Sequence, residues 1–188
     1  MISENLIKLR ELYFQRAVQK SKDSFLHFVG LFAPTLVPDW VMGKHIQVIS
    51  EKLQKVESGE IKRLMVFLPP RSSKSVICSK SVRDLVNFDL FNNVFPEVTL
   101  RSDVRAAGKW KTNAGGTYYA AGVRSQIAGR GAHVAILDDV MSEEDSFSAT
   151  GRRYVKEWYP SGLRTRIMPN GAIVIINTRY HEDDLCGW

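Results

Sequence analysis

Leu64-Met65-Val66-Phe67-Leu68 runs directly into Pro69-Pro70-Arg71-Ser72-Ser73-Lys74-Ser75 and then into Val76-Ile77-Cys78. A short, wholly apolar run reads as a strand covered on both faces, the pattern of parallel α/β sheets. Two further runs match it. Val134-Ala135-Ile136-Leu137 precedes Asp138-Asp139, and Ala172-Ile173-Val174-Ile175-Ile176 precedes Asn177-Thr178-Arg179. In an open α/β sheet, ligands collect beyond the carboxyl ends of the strands, so the three polar clusters are expected at one site. The fold class expected is α/β, a mainly parallel sheet flanked by helices.

Each cluster has a chemistry of its own. A strand followed by a turn, Lys-Ser and a helix is the setting of a phosphate-binding loop, in which backbone N–H groups cradle phosphates, a lysine neutralises the β and γ oxygens and a hydroxyl holds Mg²⁺. Lys74 and Ser75 fit those roles. The common pattern G-x-x-x-x-G-K-[ST] would place glycines at 68 and 73, where this chain has Leu68 and Ser73. Asp138-Asp139 reads in two ways. In one, the first acid reaches Mg²⁺ and the second orients an attacking water; in the other, both are loop acids capping the next helix. Thr178-Arg179 reads as a γ-phosphate sensor or as a plain turn. His181-Glu182-Asp183-Asp184 lacks the HExxH spacing, and consecutive residues rarely converge on one ion, so a metal site is not expected there.

Working outward, residues 3 to 21 carry Leu6, Leu9, Tyr13 and Ala17 at helical spacing among Lys, Arg and Glu, which reads as an amphipathic packing helix. A loop with Pro34 and Pro38 is expected next, then a helix through His45, Ile46, Ile49 and Leu53 that ends near Gly59. Between the first and second apolar runs lies a Gly-rich, basic segment, Ala106-Ala107-Gly108 through Gly129-Arg130-Gly131, with Tyr118, Tyr119, Arg124 and Arg130 interleaved. Alternating cations and tyrosines suit nucleic-acid backbone contacts with stacking, but core tyrosines beside glycine turns are the reading expected.

The composition is that of a folding chain: 188 residues, 44% hydrophobic and 24% charged, enough for one domain with a real core. A net charge of +6 favours a polyanionic partner. Cys78 and Cys186 lie far apart without CxxC spacing, which argues against a disulfide framework or zinc site and fits a reducing cytoplasm. No apolar run approaches the length of a membrane span, so no membrane association is expected.

Taken in order, Phe28, Trp40 and His45, then Leu-Pro-Pro-Arg-Ser-Ser-Lys-Ser, Ala-Ala-Gly-Lys-Trp, Gly-Gly-Thr-Tyr-Tyr-Ala-Ala-Gly, Gly-Arg-Gly-Ala, Leu-Asp-Asp and Asn-Thr-Arg-Tyr-His-Glu-Asp-Asp-Leu resemble the large terminase subunit of tailed bacteriophages. The likeness runs from about residue 25 to the end. It implies a P-loop NTPase-like fold, with an N-terminal helical, adenine-side region over residues 1–60 and an ATPase core over 61–188 in one domain. It implies that Arg71, Ser72, Ser73, Lys74 and Ser75 hold ATP phosphates, that Asp138 and Ser75 serve Mg²⁺, and that Asp139 is the catalytic acid. Asn177 and Thr178 would belong to the motif that couples hydrolysis to movement. Arg130, or Arg124 after it, would reach into the site of the next subunit, or both would instead touch DNA. The implied partners are double-stranded DNA, a portal protein and a small terminase subunit, around a homo-oligomeric ring in the host cytoplasm.

Two departures from the family pattern bear on that expectation. Only five residues separate Ser75 from Ser81, where the family places another strand with its helices, so one strand unit of the sheet is expected to be missing. Losing a strand exposes apolar edges and draws on a small stability margin, which makes a non-hydrolysing nucleotide- or DNA-binding remnant the alternative. The nuclease domain of a complete large terminase is not found in these residues, so DNA cleavage is not expected of them.

Overall fold

The computed structural model describes residues 4–37, 39–69, 72, 86–106, 108–123, 125, 127 and 129–188. Its elements run α1 (Glu4–Asp23), α2 (Phe25–Leu36), α3 (Lys44–Glu57), β1 (Arg63–Phe67), α4 (Asp89–Val94), β2 (Leu100–Ala106), β3 (Lys109–Thr112), β4 (Thr117–Tyr119), β5 (Ala132–Asp138), α5 (Glu143–Phe147), α6 (Ala149–Trp158) and β6 (Ile167–Asn177). A π-helical turn, Tyr159–Leu163, and a 3-10 turn, Arg164–Arg166, join α6 to β6. The result is a mixed α/β fold with two compact units, one of Met1–Gln54 and Ser81–Tyr119, the other of Lys55–Lys80 and Ala120–Trp188. Among the described residues no helix is long and apolar enough to cross a membrane.

In the first unit, α1 forms where the helical spacing predicts it. Its Val18 meets Phe32 and Val94 in a core that Phe28, Phe91 and Phe95 enclose. Helix α2 overturns the expected proline loop. Ser24 caps it by accepting from the His27 N–H at 3.4 Å, and the helix runs through Pro34 to Leu36. A proline inside a helix removes a hydrogen bond and costs about 3 kcal/mol. Here it stands in the last turn, and the helix buries Val29, Phe32 and Ala33, with Phe28 and Phe32 stacked at 4.2 Å. Burying Val29 and Phe32 returns roughly 1.5–3 kcal/mol each, so together the packing offsets the local penalty. Pro38 lies outside the described residues.

The Gly-rich basic segment supplies β3 and β4, which join β2 in a small antiparallel sheet of order β2-β3-β4. In β3 the sequence Lys-Trp-Lys-Thr alternates, sending Trp110 and Thr112 inward while Lys109 and Lys111 take the other face. Tyr118 stands opposite Trp110 in register, and the two rings stack at 4.9 Å. Of the two readings of this tyrosine, the structure realises the core one.

In the second unit the three apolar runs are neighbouring strands of one parallel sheet, in the order β1-β6-β5. Only the central strand is covered on both faces: Ala172 through Ile176 are each 4% exposed or less. On one face Ile173 and Ile175 join Ala135 and Leu137 against Met141, Val155 and Leu185. The outer strands differ from the expected double coverage, with Met65 at 52%, Val134 at 51% and Ile136 at 45% exposure. An uninterrupted apolar run cannot distinguish a central strand from an edge strand, because coverage depends on neighbours supplied from elsewhere in the chain.

Candidate nucleotide site

The parallel register brings the three strand ends level. Phe67 at the end of β1 pairs with Asn177 at the end of β6, and Asp138 at the end of β5 pairs with Ile176. Asp138, Asp139, Asn177 and Thr178 therefore gather at one edge of one sheet, together with Leu68 and Pro69 as the chain leaves β1. Of the residues expected to hold phosphates, Ser72 is described: its hydroxyl donates to the Pro69 carbonyl at 2.7 Å. Arg71, Ser73, Lys74 and Ser75 lie outside the described residues, as does Arg124.

Asp139 and Thr178 are locked together. The Asp139 N–H donates to the Ile176 carbonyl at 2.9 Å, and the Thr178 N–H donates to Asp139 Oδ1 at 2.9 Å. Two reciprocal bonds thus tie the acidic loop to the loop after β6. To make them, Asp139 adopts φ of 44°, a left-handed conformation costing a non-glycine residue of order 1 kcal/mol. The following helix, α5, is capped by Ser142, which accepts from the Asp145 N–H at 3.0 Å. The alternative use of the two aspartates as caps for that helix is therefore not the one the structure makes.

Asn177 adds a feature that spacing alone does not show. Its side chain is 4% exposed, and Oδ1 has no hydrogen-bond partner. A buried acceptor without a donor costs about 1–3 kcal/mol. Such an atom between two acid-bearing and loop-bearing strand ends has the chemistry to accept from a bound polar group.

Arg179 turns out to be structural. Its Nε donates to Asp184 Oδ2 at 2.6 Å, its Nη2 reaches the His181 and Glu182 carbonyls at 3.3 and 3.2 Å, and its guanidinium lies 5.4 Å from the Phe67 ring centroid. Asp184, 1% exposed, also accepts from the Cys186 and Gly187 N–H groups at 2.8 and 3.0 Å. The turn His181 to Gly187 is thus wrapped around one arginine and one buried carboxylate. Asp183 points outward to Lys156 and Arg152; the hydrogen bond from Lys156, then that from Arg152, holds it below the usual carboxylate range. Among the described residues no three His, Cys, Asp or Glu side chains gather as a metal site.

The same packing shields Cys186. Burial, then the nearby Asp184, pushes its thiol up to about 11. Because the thiolate is the nucleophile, the reactive fraction at pH 8 is about a hundredfold below that of an ordinary thiol, which titrates near 9.0. In a Cys78→Ser background, Cys186 is expected to react with a maleimide or a disulfide reagent about a hundredfold more slowly than the unfolded chain. Equal rates would contradict the shielding.

Arg130 is exposed and precedes β5, whereas the acids follow it. At about 3.3 Å per strand residue, Arg130 and Asp138 stand roughly 25 Å apart. The structure does not bring Arg130 to the edge that holds the acids of its own chain.

Compared with known proteins, the chain matches no family model and no curated protein.

Proposed function

We propose that this chain is an ATP-binding and ATP-hydrolysing motor domain of the large-terminase type, which couples hydrolysis to translocation of double-stranded DNA. The observation that carries the reading is the convergence of three parallel strand ends, one leading to the Lys74-Ser75 loop, one bearing Asp138-Asp139 and one bearing Asn177-Thr178. In the proposed site Arg71, Ser72, Ser73, Lys74 and Ser75 hold the phosphates. Asp138 and the Ser75 hydroxyl would hold Mg²⁺, a hard cation suited to one or two carboxylates, phosphates and water. When bound, the ion supplies neutralisation of the charge that develops on the phosphate oxygens. Asp139 orients the attacking water and accepts its proton, and Asn177 Oδ1 accepts from a polar hydrogen at the same edge. Because Asp139 also holds the Thr178 N–H, any shift of its carboxylate during hydrolysis is passed to the loop after β6.

A trans role suits Arg130, since it stands far from its own acids; a homo-oligomeric ring at a portal, fed by a small terminase subunit in the host cytoplasm, is the setting this reading implies. A second reading, a non-hydrolysing nucleotide- or DNA-binding remnant, is favoured by the exposed apolar side chains on both outer strands, Met65 and Phe67 on β1 and Val134 and Ile136 on β5. Those exposures are what a sheet short of a strand unit would display.

The two readings separate in one experiment. The purified chain is expected to bind ATP in a titration and to release phosphate with Mg²⁺, faster when linear duplex DNA is added, and Lys74→Ala is expected to lower turnover by about a hundredfold or more. Binding without turnover by the unaltered chain would select the remnant, and neither would reject both.

A further inference from the structure

The outer face of the small antiparallel sheet has no use in the nucleotide chemistry, yet its composition is one-sided. Its inner face is fixed: Trp110, 5% exposed, packs with Leu100 and Val86 and stacks on Tyr118. Strand alternation then forces Lys109 and Lys111 onto the outer face. Register places Tyr119 directly opposite Lys109 and Thr117 directly opposite Lys111, pairs whose side chains lie about 5 Å apart. Tyr119 keeps 37% exposure, a large aromatic surface held beside a cation. Arg101 and Asp103 stand beside this face on β2, where the register shifts between Leu100 and Arg105, with Arg101 bound to both carboxylate oxygens at 2.8 and 2.6 Å. Asp103 also feels Lys111. It is the one acid on or beside this face among the described residues, so three cations stand against a single carboxylate.

We propose that this face, Arg101, Lys109, Lys111 and Tyr119, is a docking surface for the sugar-phosphate backbone of double-stranded DNA. The charge excess argues for a polyanion, and the net +6 of the whole chain draws one in from a distance. Cations and an aromatic ring set side by side by strand pairing suit a regularly spaced backbone, and the exposed tyrosine adds a face for sugar or base contact. No group on this surface is arranged to read a base edge, so binding is insensitive to sequence. The choice of duplex DNA as occupant rests on the motor reading above; the surface itself does not.

The test is binding of the full chain, without nucleotide, to a fluorescent 30-base-pair duplex, followed by anisotropy over a range of salt concentrations. The double variant Lys109→Glu/Lys111→Glu should weaken binding at least tenfold and reduce the slope of log affinity against log salt by about two, since each phosphate contact contributes about 0.9. Lys20→Glu/Lys22→Glu, an equal charge change on exposed α1 positions, should leave the slope near the unaltered value. Thermal melting checks that both variants remain folded. Unchanged binding by the first variant, equal losses in both, no duplex binding by the unaltered chain, or equal displacement by polyglutamate would each overturn the proposal, the last in favour of an acidic protein. Since no step involves ATP, failure here leaves the turnover experiment to judge the motor reading, and failure of turnover leaves this result standing.

Discussion

Asp139→Asn is expected to lower ATP turnover by about 10²–10⁴-fold, the range for losing a positioned proton acceptor, while leaving the melting temperature near that of the unaltered chain. The separation of the two readouts follows from the geometry. Asparagine keeps an Oδ1 that accepts from the Thr178 N–H, the bond that holds the loop after β6 at 2.9 Å. It loses the negative charge that the proposed role in orienting and deprotonating water requires. Asp139→Ala loses both, so it should melt lower as well, by the roughly 1 kcal/mol of one hydrogen bond, or a few degrees for a chain of this size. Asp139→Gly offers a further check: it also loses the bond but relieves the left-handed backbone at φ of 44°, so its melting temperature should lie above that of the alanine variant. Turnover retained by the asparagine variant would reduce Asp139 to a structural clasp.

Asp184→Ala should be the most destabilising single substitution in the second unit outside its apolar core. The carboxylate is 1% exposed and receives three donors, from Arg179, Cys186 and Gly187. Removing one partner of a fully buried pair costs about 3–5 kcal/mol. Arg179 keeps 35% exposure and can turn toward water, so about 2–4 kcal/mol is expected once solvent screening is allowed for. At roughly 2–4 °C per kcal/mol the melting temperature should fall by about 5–15 °C. Asp184→Asn should fall part of the way, because the two backbone donors keep an acceptor while Arg179 meets an amide in place of a charge. Melting followed by circular dichroism reads both. A shift below about 1 °C in the alanine variant would show that this turn does not hold the unit together.

The parallel sheet was legible because its strands are apolar without interruption, and the position of Asp138-Asp139 and Asn177-Thr178 at its edge follows from strand direction alone. Which strand lies in the middle was not legible: β1, β5 and β6 read alike, and only pairing between distant segments buries the last of them on both sides. Helix α2 was hidden by Pro34, whose local cost is overridden by aromatic packing that no window of sequence displays. The antiparallel sheet was hidden by length, since an alternation of four residues in β3 is too short to stand out among glycines and cations. At the site, the readings of Arg179 as sensor or as turn stayed open in the sequence, because its partner Asp184 is recognisable only once the chain folds back. Asn177 carried no local signal of its orphaned oxygen, which arises from burial by both neighbouring strands.

The order in which the sheet is stitched together differs from the order in which the ribosome releases it. β1 pairs with β6, and Arg63 meets Ile173 across 110 positions of chain; β5, too, finds its partner in β6. The two outer strands therefore emerge first and wait, with Val66 and Leu137 uncovered, for the segment destined to lie between them. Pairings of such long separation are slow to close and leave sticky surfaces open meanwhile. Synthesis of this protein thus passes through an interval in which two apolar strands stand without the partner that later joins them.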